Sequence, residues 1–479
     1  MKLFLDDRST SVVKEICEAV RQEGGRAFLV GGLVRNRLIT RLLAASPPEE
    51  VVRDFDLEVY GIQPDRLKAL IRRFGRVNEV GESFSVYKLF IRKGEERIEV
   101  DVSLPRSESK VGRGHRGFKV HGDPEMAYSE AARRRDFTIN AIMCDPLNGE
   151  LIDPYGGIGD IQRRLIRVVD PRTFIEDSLR VLRGMGFAAR FEFEVDAGTV
   201  ALCRTVPLDD LPHERIWMEI EKLLRSRRPS LGLTAGLEMG VIERLFPELA
   251  ALVGCEQEAD QHPEGDVWTH TLQVLDVAAK LTRTLPKPER LTVMLAALCH
   301  DLGKPSATRY ENGRICSTGH EEAGIEITHR FLDRFKLHRI DGYKVREQVL
   351  ALVANHLKPS QFFASKDQVT DGMFRRLAGK CDMELLYLVA AADSLGRVAN
   401  GAPQPNAEAA EWFQERVKRL GIEREAPSPI LLGRHLINMG LAPGRRIGEI
   451  TSAIYEMQLD GQVTTLEEAL TAARQLLAG

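Results

Sequence analysis

Arg53-Asp54-Phe55-Asp56-Leu57 decides the fold of the N-terminal third. From Asp54 to Tyr60 polar and apolar residues alternate, which is the period of a β-strand, and that alternation puts Asp54 and Asp56 on one face. Two carboxylates so placed can hold a pair of Mg²⁺ ions. Just upstream, Ala27-Phe28-Leu29-Val30 predicts a short apolar strand, Gly31-Gly32 a turn, and Val34 to Leu43 a helix carrying Arg35, Arg37 and Arg41. A glycine turn between strand and helix lets backbone N–H groups approach a triphosphate at the positive end of the helix, and Arg35 would add a charged clamp. Further strands are expected near Ser85 to Ile91 and from Arg97 to Leu104, with a helix from Pro64 to Phe74 between Asp56 and those strands. An amphipathic helix is expected over 11–23, with Val12, Ile16 and Val20 on its stripe. In-line phosphoryl transfer needs a third acid, and Asp101 in Glu99-Val100-Asp101-Val102 is favoured for it, although Glu99 shares that face. These elements make a small mixed α/β unit ending near Pro154.

The whole chain has 479 residues, too many for one core, and length alone suggests about three domains. With 43% hydrophobic and 29% charged residues it has the balance of a folded globular protein, which excludes wholesale disorder. A net charge of −3 offers no global attraction to a polyanion, so nucleic acid must be met by local clusters. Such clusters are Arg133, Arg134 and Arg135, then Arg163, Arg164 and Arg167, then Lys222, Arg225, Arg227 and Arg228. Cysteines 17, 144, 203, 255, 299, 316 and 381 are odd in number and never spaced Cys-x-x-Cys, which argues for a reducing compartment rather than a disulfide framework or zinc ribbon. No basic-then-apolar leader and no apolar run of roughly 20 residues is seen, so a cytoplasmic protein without membrane contact is expected. Beyond Pro154 the periodicity is helical, strongest around 174–188, 213–226, 267–283 and 288–302, and a linker is expected at Asn400 to Asn406.

Further motifs follow in order: Arg134-Arg135-Asp136-Phe137-Thr138-Ile139-Asn140-Ala141, Ile152-Asp153-Pro154-Tyr155-Gly156-Gly157, and Glu176-Asp177-Ser178-Leu179-Arg180. Together with the glycine turn and the carboxylates, they make residues 25 to roughly 250 resemble the bacterial and eukaryotic class of the polymerase-β nucleotidyltransferase superfamily. That class holds CCA-adding tRNA nucleotidyltransferases and bacterial poly(A) polymerases. The resemblance implies a polymerase-β-like palm, a helical neck and body, and partners tRNA, CTP and ATP. It implies catalytic roles for Asp54, Asp56 and Asp101, and nucleotide binding by Gly31, Gly32, Arg35, Arg106, Arg135, Asp136, Asn140, Asp177 and Arg180. On one helical face, Asp177 and Arg180 would set an acceptor beside a donor, which pairs with the edges of cytosine and adenine and repels those of guanine and uracil. Lys110 to Gly122 resembles the mobile loop between head and neck, and Pro212-His213-Glu214-Arg215-Ile216 to Glu219 resembles the neck motif. The chain departs from the family pattern at two places. Asn36 stands where the family usually carries Asp, and Gly186-Phe187-Ala188-Ala189-Arg190 stands where it tends to have Arg-Phe-Ala-Ala-Arg.

From Cys255 onward His270, His300-Asp301, His320, His356 and Asp393 follow one another on separate helical segments. Imidazoles and carboxylates converging from several helices are what a divalent-metal hydrolase needs. The stretch resembles the HD phosphohydrolase domain fused to some bacterial CCA-adding enzymes, through His262-Pro263-Glu264-Gly265-Asp266-Val267-Trp268-Thr269-His270-Thr271 and Gly319-His320-Glu321-Glu322-Ala323-Gly324. His262 is assigned to the loop before the first ligand. The tail, with Gly440-Leu441-Ala442-Pro443-Gly444-Arg445-Arg446, either holds phosphate at its turn or serves helix packing. The expected division is 1–154 head, 155–250 neck and body, 251–400 HD domain and 401–479 helical tail. The expected activity is CCA addition to tRNA, with Mg²⁺ at the transferase site, a divalent metal at the HD site, and accessory hydrolysis. Its rivals are poly(A) addition, CC-only or A-only addition, and an HD phosphohydrolase with a degenerate RNA-binding N-terminal half.

Overall fold

The alternating stretch after Asp54 is a strand near the middle of a mixed sheet. A computed structural model describes residues 8–44, 55–80, 86–93, 96–110, 118–398 and 405–478. Up to residue 152 its strands are β1 (Arg26–Leu29), β2 (Phe55–Tyr60), β3 (Arg76–Val80), β4 (Val86–Lys93), β5 (Glu96–Ser103), β6 (Arg106–Lys110), β7 (Phe118–Gly122), β8 (Met143–Cys144) and β9 (Leu151–Ile152). Seven of them form one sheet in the order β3-β4-β5-β2-β1-β8-β9. β2 and β5 are parallel, and their register sets Asp56 directly opposite Asp101. β1 runs antiparallel to β2, from Arg26 opposite Tyr60 to Leu29 opposite Leu57.

One side of the palm is closed by the helix Arg8–Gln22, whose Val12, Ile16 and Val20 are buried as the stripe anticipates. Phe28, Tyr60 and Tyr128 pack edge-to-face with centroids 4.8 to 5.7 Å apart, beside Met126, Ala131 and Met143. The stretch expected to be a loop from Lys110 to Gly122 is different at its ends: β6 and β7 pair as an antiparallel hairpin, and 111–117 lie outside the described residues. The helix expected around 174–188 is in fact two, Pro171–Phe174 and Leu179–Phe191. Between them Asp177 accepts a hydrogen bond from the Leu179 N–H at 3.1 Å; Ser178 is the N-cap of the second helix, so Asp177 lies before that helix and not on it. The helices His213–Leu224 and Pro229–Glu238 pack against Leu179–Phe191. At Gly232 a Cβ would come within 2.7 Å of the Met185 carbonyl oxygen, so only glycine permits that approach.

The chain divides into two compact units, Met1–Leu245 and Phe246–Gly479. The second unit is helical, built around Lys287–Cys299, which is buried from Arg290 to Cys299 and is packed by Val267–Leu281, Val345–Asn355 and Met383–Leu395. Its C-terminal helices Gly433–Asn438, Arg445–Leu459 and Leu466–Ala478 share their own core of Leu431, Leu436, Ile450, Ile454, Val463 and Ala469. In this tail the exposed Arg445 pairs with Glu449 one turn on at 3.1 Å, and Arg446 donates to the Leu476 carbonyl. The expected linker Asn400 to Asn406 lies, apart from its last two residues, outside the described ones. Among the described residues no helix is long and apolar enough to cross a membrane.

Candidate functional site

A cleft of about 730 Å³ opens in the first unit, and every nucleotide-binding candidate lines it together with Asp56. Gly31 has φ 72° and ψ −138°, a backbone that L side chains rarely adopt, and it turns the chain from β1 into the helix Gly32–Leu43. A Cβ on Gly31 would lie 3.2 Å from Asp56 Oδ2 and 3.7 Å from an Arg135 amino group. Carboxylate, glycine turn and arginine therefore meet at one point. No side chain caps the Gly32–Leu43 helix, so its first N–H groups are directed at whatever enters the cleft. Asp101 does not line the cleft wall; it sits across from Asp56, with Lys88 Nζ 3.4 Å from its Oδ1 and 2.6 Å from Glu99. Two carboxylates about 5 Å apart on neighbouring strands repel unless a cation lies between them, which fits a metal pair. Asp54 lies outside the described residues.

The wall carries nine cationic side chains (Arg35, Arg106, Arg134, Arg135, Arg180, Arg183, Arg190, Arg215 and Lys222) against four carboxylates (Asp56, Asp136, Asp177 and Glu219). That excess of five supplies the local field for a polyanion which the chain's net charge lacks. Many of these groups are braced by buried partners. Arg35 is buried; it donates to Asn36 Oδ1 at 2.8 and 3.0 Å and to Asn140 Oδ1 at 2.6 Å, with its guanidinium over the Phe187 and Phe191 rings. It lines the cleft with its guanidinium fixed by these partners, 3.5 Å from where a Cβ on Gly32 would lie. Asp136 accepts from the Asn140 amide and the Phe137 N–H, and Arg183 pairs with it at 2.8 Å. Burial works against the Asp136 charge, yet Arg183 and these hydrogen bonds outweigh it and hold the carboxyl below its ordinary value. Arg180 donates to the Thr173 and Arg134 carbonyls at 2.8 and 2.7 Å, which fixes its plane in the cleft wall.

Sequence reading passed over Glu58. It shares the face of Asp56, two residues on, is 1% exposed, and accepts from Arg135 at 2.9 Å with Arg134 3.7 Å away. The alternation that located Asp56 also reached Glu58; only its burial between two arginines was invisible. Glu58→Gln keeps the shape and removes the charge that holds Arg135 over the glycine turn. Loss of one charge-assisted bond, about 1.5 kcal/mol, is expected to weaken binding of a triphosphate in the cleft roughly tenfold, read by calorimetric titration of a nucleoside triphosphate.

In the second unit, all six expected ligands come together and are buried. His270 lies on Val267–Leu281, His300 and Asp301 just beyond Lys287–Cys299, His320 at the start of His320–Asp333, His356 just beyond Val345–Asn355, and Asp393 on Met383–Leu395. Asp301 joins two sets. Its Oδ2 is 3.2 Å from His300 Nε2 and 3.8 Å from His270 Nε2, while its Oδ1 is 3.2 Å from His320 Nε2. Asp393 Oδ1 is 3.1 Å from His270 Nε2. The Nδ1 atoms of His300, His320 and His356 donate to the carbonyls of Ala297, Ser317 and Val353 at 2.7 to 2.8 Å. A carbonyl cannot donate, so Nδ1 carries the hydrogen and a neutral ring presents its lone pair at Nε2. Yet His270 and His300 face each other through Nε2 at 3.3 Å, and His320 and His356 do so at 3.2 Å. Lone pairs facing at that distance repel unless a proton on one ring or a metal cation lies between them. Burial and the neighbouring His300 push His356 down to about 3, so that ring is neutral at any ordinary pH. Burial opposes charge on His270 and His320 as well, but Asp393 and Glu264 for the first and Asp301 for the second outweigh it and raise both. The residues present therefore fit a divalent ion.

Three family models match the chain in order: Poly A polymerase head domain over 27–167, Probable RNA and SrmB- binding site of polymerase A over 193–252, and HD domain over 267–397. The "Multifunctional CCA protein" of Stenotrophomonas maltophilia (strain K279a) is 38% identical over 364 residues, covering 74% of this chain and 81% of that protein. This chain belongs to the multifunctional CCA protein family. Its relative of the same description from Xylella fastidiosa (strain M23) is 36% identical over 391 residues, 78% of this chain and 84% of that one. A solved "Bacillus stearothermophilus CCA-adding enzyme in complex with CTP" is 20% identical, with a TM-score of 0.61 over 98% of this chain and 99% of that one, a likeness of fold.

Within this family pattern the departure at Asn36 has a visible consequence. Its Oδ1 receives the Arg35 guanidinium, while its buried Nδ2 has no hydrogen-bond partner among the described residues. Asn36→Asp would set a full charge against a guanidinium that is already buried and remove the unpaired donor. Stability is expected to rise by about 1 kcal/mol, measured as the urea midpoint of the first unfolding transition, because a charged acceptor bonds roughly twice as strongly as a neutral one. The other departure, Gly186, leaves Glu219 Oε2 3.8 Å from where a Cβ would be, and Glu219 pairs instead with Lys222 at 2.9 Å.

Proposed function

We propose that this chain adds cytidine, cytidine and adenosine to the 3′ end of tRNA, using CTP and ATP. The observation that carries this reading is Asp56 facing Asp101 across parallel strands, beside a glycine turn in a cleft rich in arginine. Mg²⁺ held by Asp54, Asp56 and Asp101 supplies electrostatic stabilisation of the charge that builds on the phosphoryl oxygens. The RNA 3′-oxygen attacks the α-phosphorus, its proton passes to the Asp101 carboxylate, and pyrophosphate leaves with the electron pair of the bond to its bridging oxygen. Gly31, Gly32, Arg106 and Arg135 hold the triphosphate; Arg35, Asp136 and Asn140 brace the wall. Arg180, pinned by two carbonyls, and Asp177 beside it offer a donor and an acceptor whose polarity fits cytosine and adenine. In this reading 1–154 is the head, 155–250 the neck and body, 251–400 the HD domain and 401–479 the tail. The seven cysteines, all free, fit the reducing cytoplasm where tRNA is matured.

The histidine cluster favours a second activity, hydrolysis of phosphate esters such as 2′,3′-cyclic phosphates at damaged RNA ends. Two divalent ions fit it, one with His270, His300, Asp301 and Asp393 and one with Asp301, His320 and His356. Bound there, such ions supply Lewis acidity to the phosphoryl group.

The test is incorporation of each labelled NTP, with Mg²⁺, into tRNA transcripts ending at the discriminator, at C and at CC. Addition of C, C and then A supports the reading. Addition confined to CC, to one A or to a long A tail replaces it with that narrower or broader activity, and no addition with any transcript refutes it.

A further inference from the structure

Beside the histidine cluster, read as a divalent-ion site, lies a buried carboxylate that is not one of its six ligands. Glu264 lies in the turn before the helix Val267–Leu281, and its side chain is 0% exposed. A carboxylate so placed must be held by partners or it would not stay charged. Its Oε1 accepts from His270 Nδ1 at 2.7 Å and from His262 Nδ1 at 2.9 Å, and those two rings meet edge-on with centroids 4.8 Å apart. Its Oε2 has no hydrogen-bond partner among the described residues.

We propose that Glu264 is a positioning residue for the metal ligand His270, keeping the hydrogen on Nδ1 so that Nε2 is presented to the ion, and that His262 holds Glu264 in place. This rests on the reading of the cluster as a metal site. Among the four histidines, His300, His320 and His356 are oriented by backbone carbonyls, and only His270 is oriented by a carboxylate. A carbonyl fixes the ring; a carboxylate also makes its far nitrogen a stronger donor to a cation, so Glu264 strengthens the ligand as well as aiming it. The local chain is built for this contact. Gly265, with φ +119°, turns the backbone between Glu264 and Asp266, and Asp266 accepts from the Thr269 N–H at 2.9 Å and the Gly254 N–H at 2.6 Å. Glu264 is thereby brought back over the first turn of the helix that carries His270.

His262, Glu264 and His270 are close enough together to suggest a separate metal site, with ligand atoms within 4.8 Å of one another. The geometry argues against it. Both imidazoles reach the same oxygen through Nδ1 at hydrogen-bond distance, so those nitrogens are donors and have no lone pair to give. Glutamine here accepts the same two N–H bonds through its one oxygen, but it removes the charge from both bonds and sets an amide NH2 where Oε2 has no partner, so a modest loss of stability is expected. That loss is distinct from the effect on cation affinity.

That distinction sets the test. Mn²⁺ is titrated calorimetrically into the full chain carrying Asp56→Ala, which disables the ion pair of the palm, with and without Glu264→Gln or Asp301→Asn. Glu264→Gln is expected to weaken Mn²⁺ binding about tenfold to a hundredfold, compared at a temperature where the urea transition of the metal-free variant shows it fully folded. Asp301→Asn, which removes the shared ligand, is expected to abolish binding. Parent affinity in Glu264→Gln, with binding lost in Asp301→Asn, overturns the inference and leaves the metal reading standing. Parent affinity in Asp301→Asn overturns the metal reading itself. If Glu264→Gln does not fold, Glu264→Asp decides: its charge lies one methylene further from His270, so weakened binding supports the inference and parent affinity overturns it.

Discussion

Asp56→Ala is expected to lower nucleotide incorporation by about 10³-fold or more. Asp56 is the described carboxylate that lies both opposite Asp101 and against the Gly31 turn, so its oxygens are where a reacting phosphate and its counter-ions meet. Stabilisation of phosphoryl charge by a bound ion is worth several kcal/mol, and each 1.4 kcal/mol is a factor of ten in rate. The change should be specific to chemistry. Asp56 is exposed at the cleft, so its loss costs little stability, and removing a negative charge from a wall of arginines leaves tRNA affinity the same or slightly tighter. Single-turnover CTP incorporation, tRNA binding at fixed salt, and thermal unfolding would separate these effects. A single-turnover rate within tenfold of the parent would remove Asp56 from the catalytic set.

Much of this site was legible in the sequence because it depends on local rules. Alternation placed Asp56 on a strand, a glycine pair marked the turn, and the order His270, His300-Asp301, His320, His356, Asp393 gave a ligand set whose members do converge. The parts that escaped depend on what lies across space. That Asp56 faces Asp101 is a matter of strand register, which neither stretch encodes alone. Asp177 looked helical by spacing from Arg180; it lies one residue before the Ser178 N-cap with its carboxylate on the Leu179 N–H, a local side-chain-to-backbone bond that spacing does not show. Glu58 was passed over and Glu264 was quoted only as part of a motif, because nothing near them in sequence announces that arginines or histidines will bury them. Arg35 was assigned to the ligand from its position after the glycines; it does line the cleft, but its bonds to Asn36 and Asn140 and its seat over two phenylalanine rings were not legible. In each case the residue type and its neighbourhood were right, and the direction of the side chain was set by tertiary partners.

Asp301→Asn should have the largest effect in the second unit, and it should act on hydrolysis and stability together. Asp301 is the one carboxylate common to both histidine sets, reaching His300 through Oδ2 and His320 through Oδ1 at 3.2 Å. Asparagine keeps the shape but supplies one oxygen and no charge, so each set loses its anion or gains an N–H donor facing an imidazole. Hydrolysis of a 2′,3′-cyclic nucleotide with Mn²⁺ is expected to fall by about 10³-fold or more, the cost of removing the ions from phosphoryl transfer. Stability falls for a separate reason. Lys304 Nζ lies 2.7 Å from Asp301 Oδ2 and is almost wholly buried, and stripping the partner from a buried charge costs about 3–5 kcal/mol. Lys304 also donates to Gln257 at 2.6 Å, which keeps one bond and sets the loss towards the lower end of that range. The double variant Asp301→Asn, Lys304→Met isolates the two effects: it should regain most of the stability, because no unpaired ammonium remains, and regain none of the hydrolysis. CTP incorporation in both variants should stay within about threefold of the parent at a temperature where the second unit is folded, since Asp56 and its cleft lie wholly in the first unit. Hydrolysis within tenfold of the parent in the stable double variant would show that the cluster is not the hydrolytic centre.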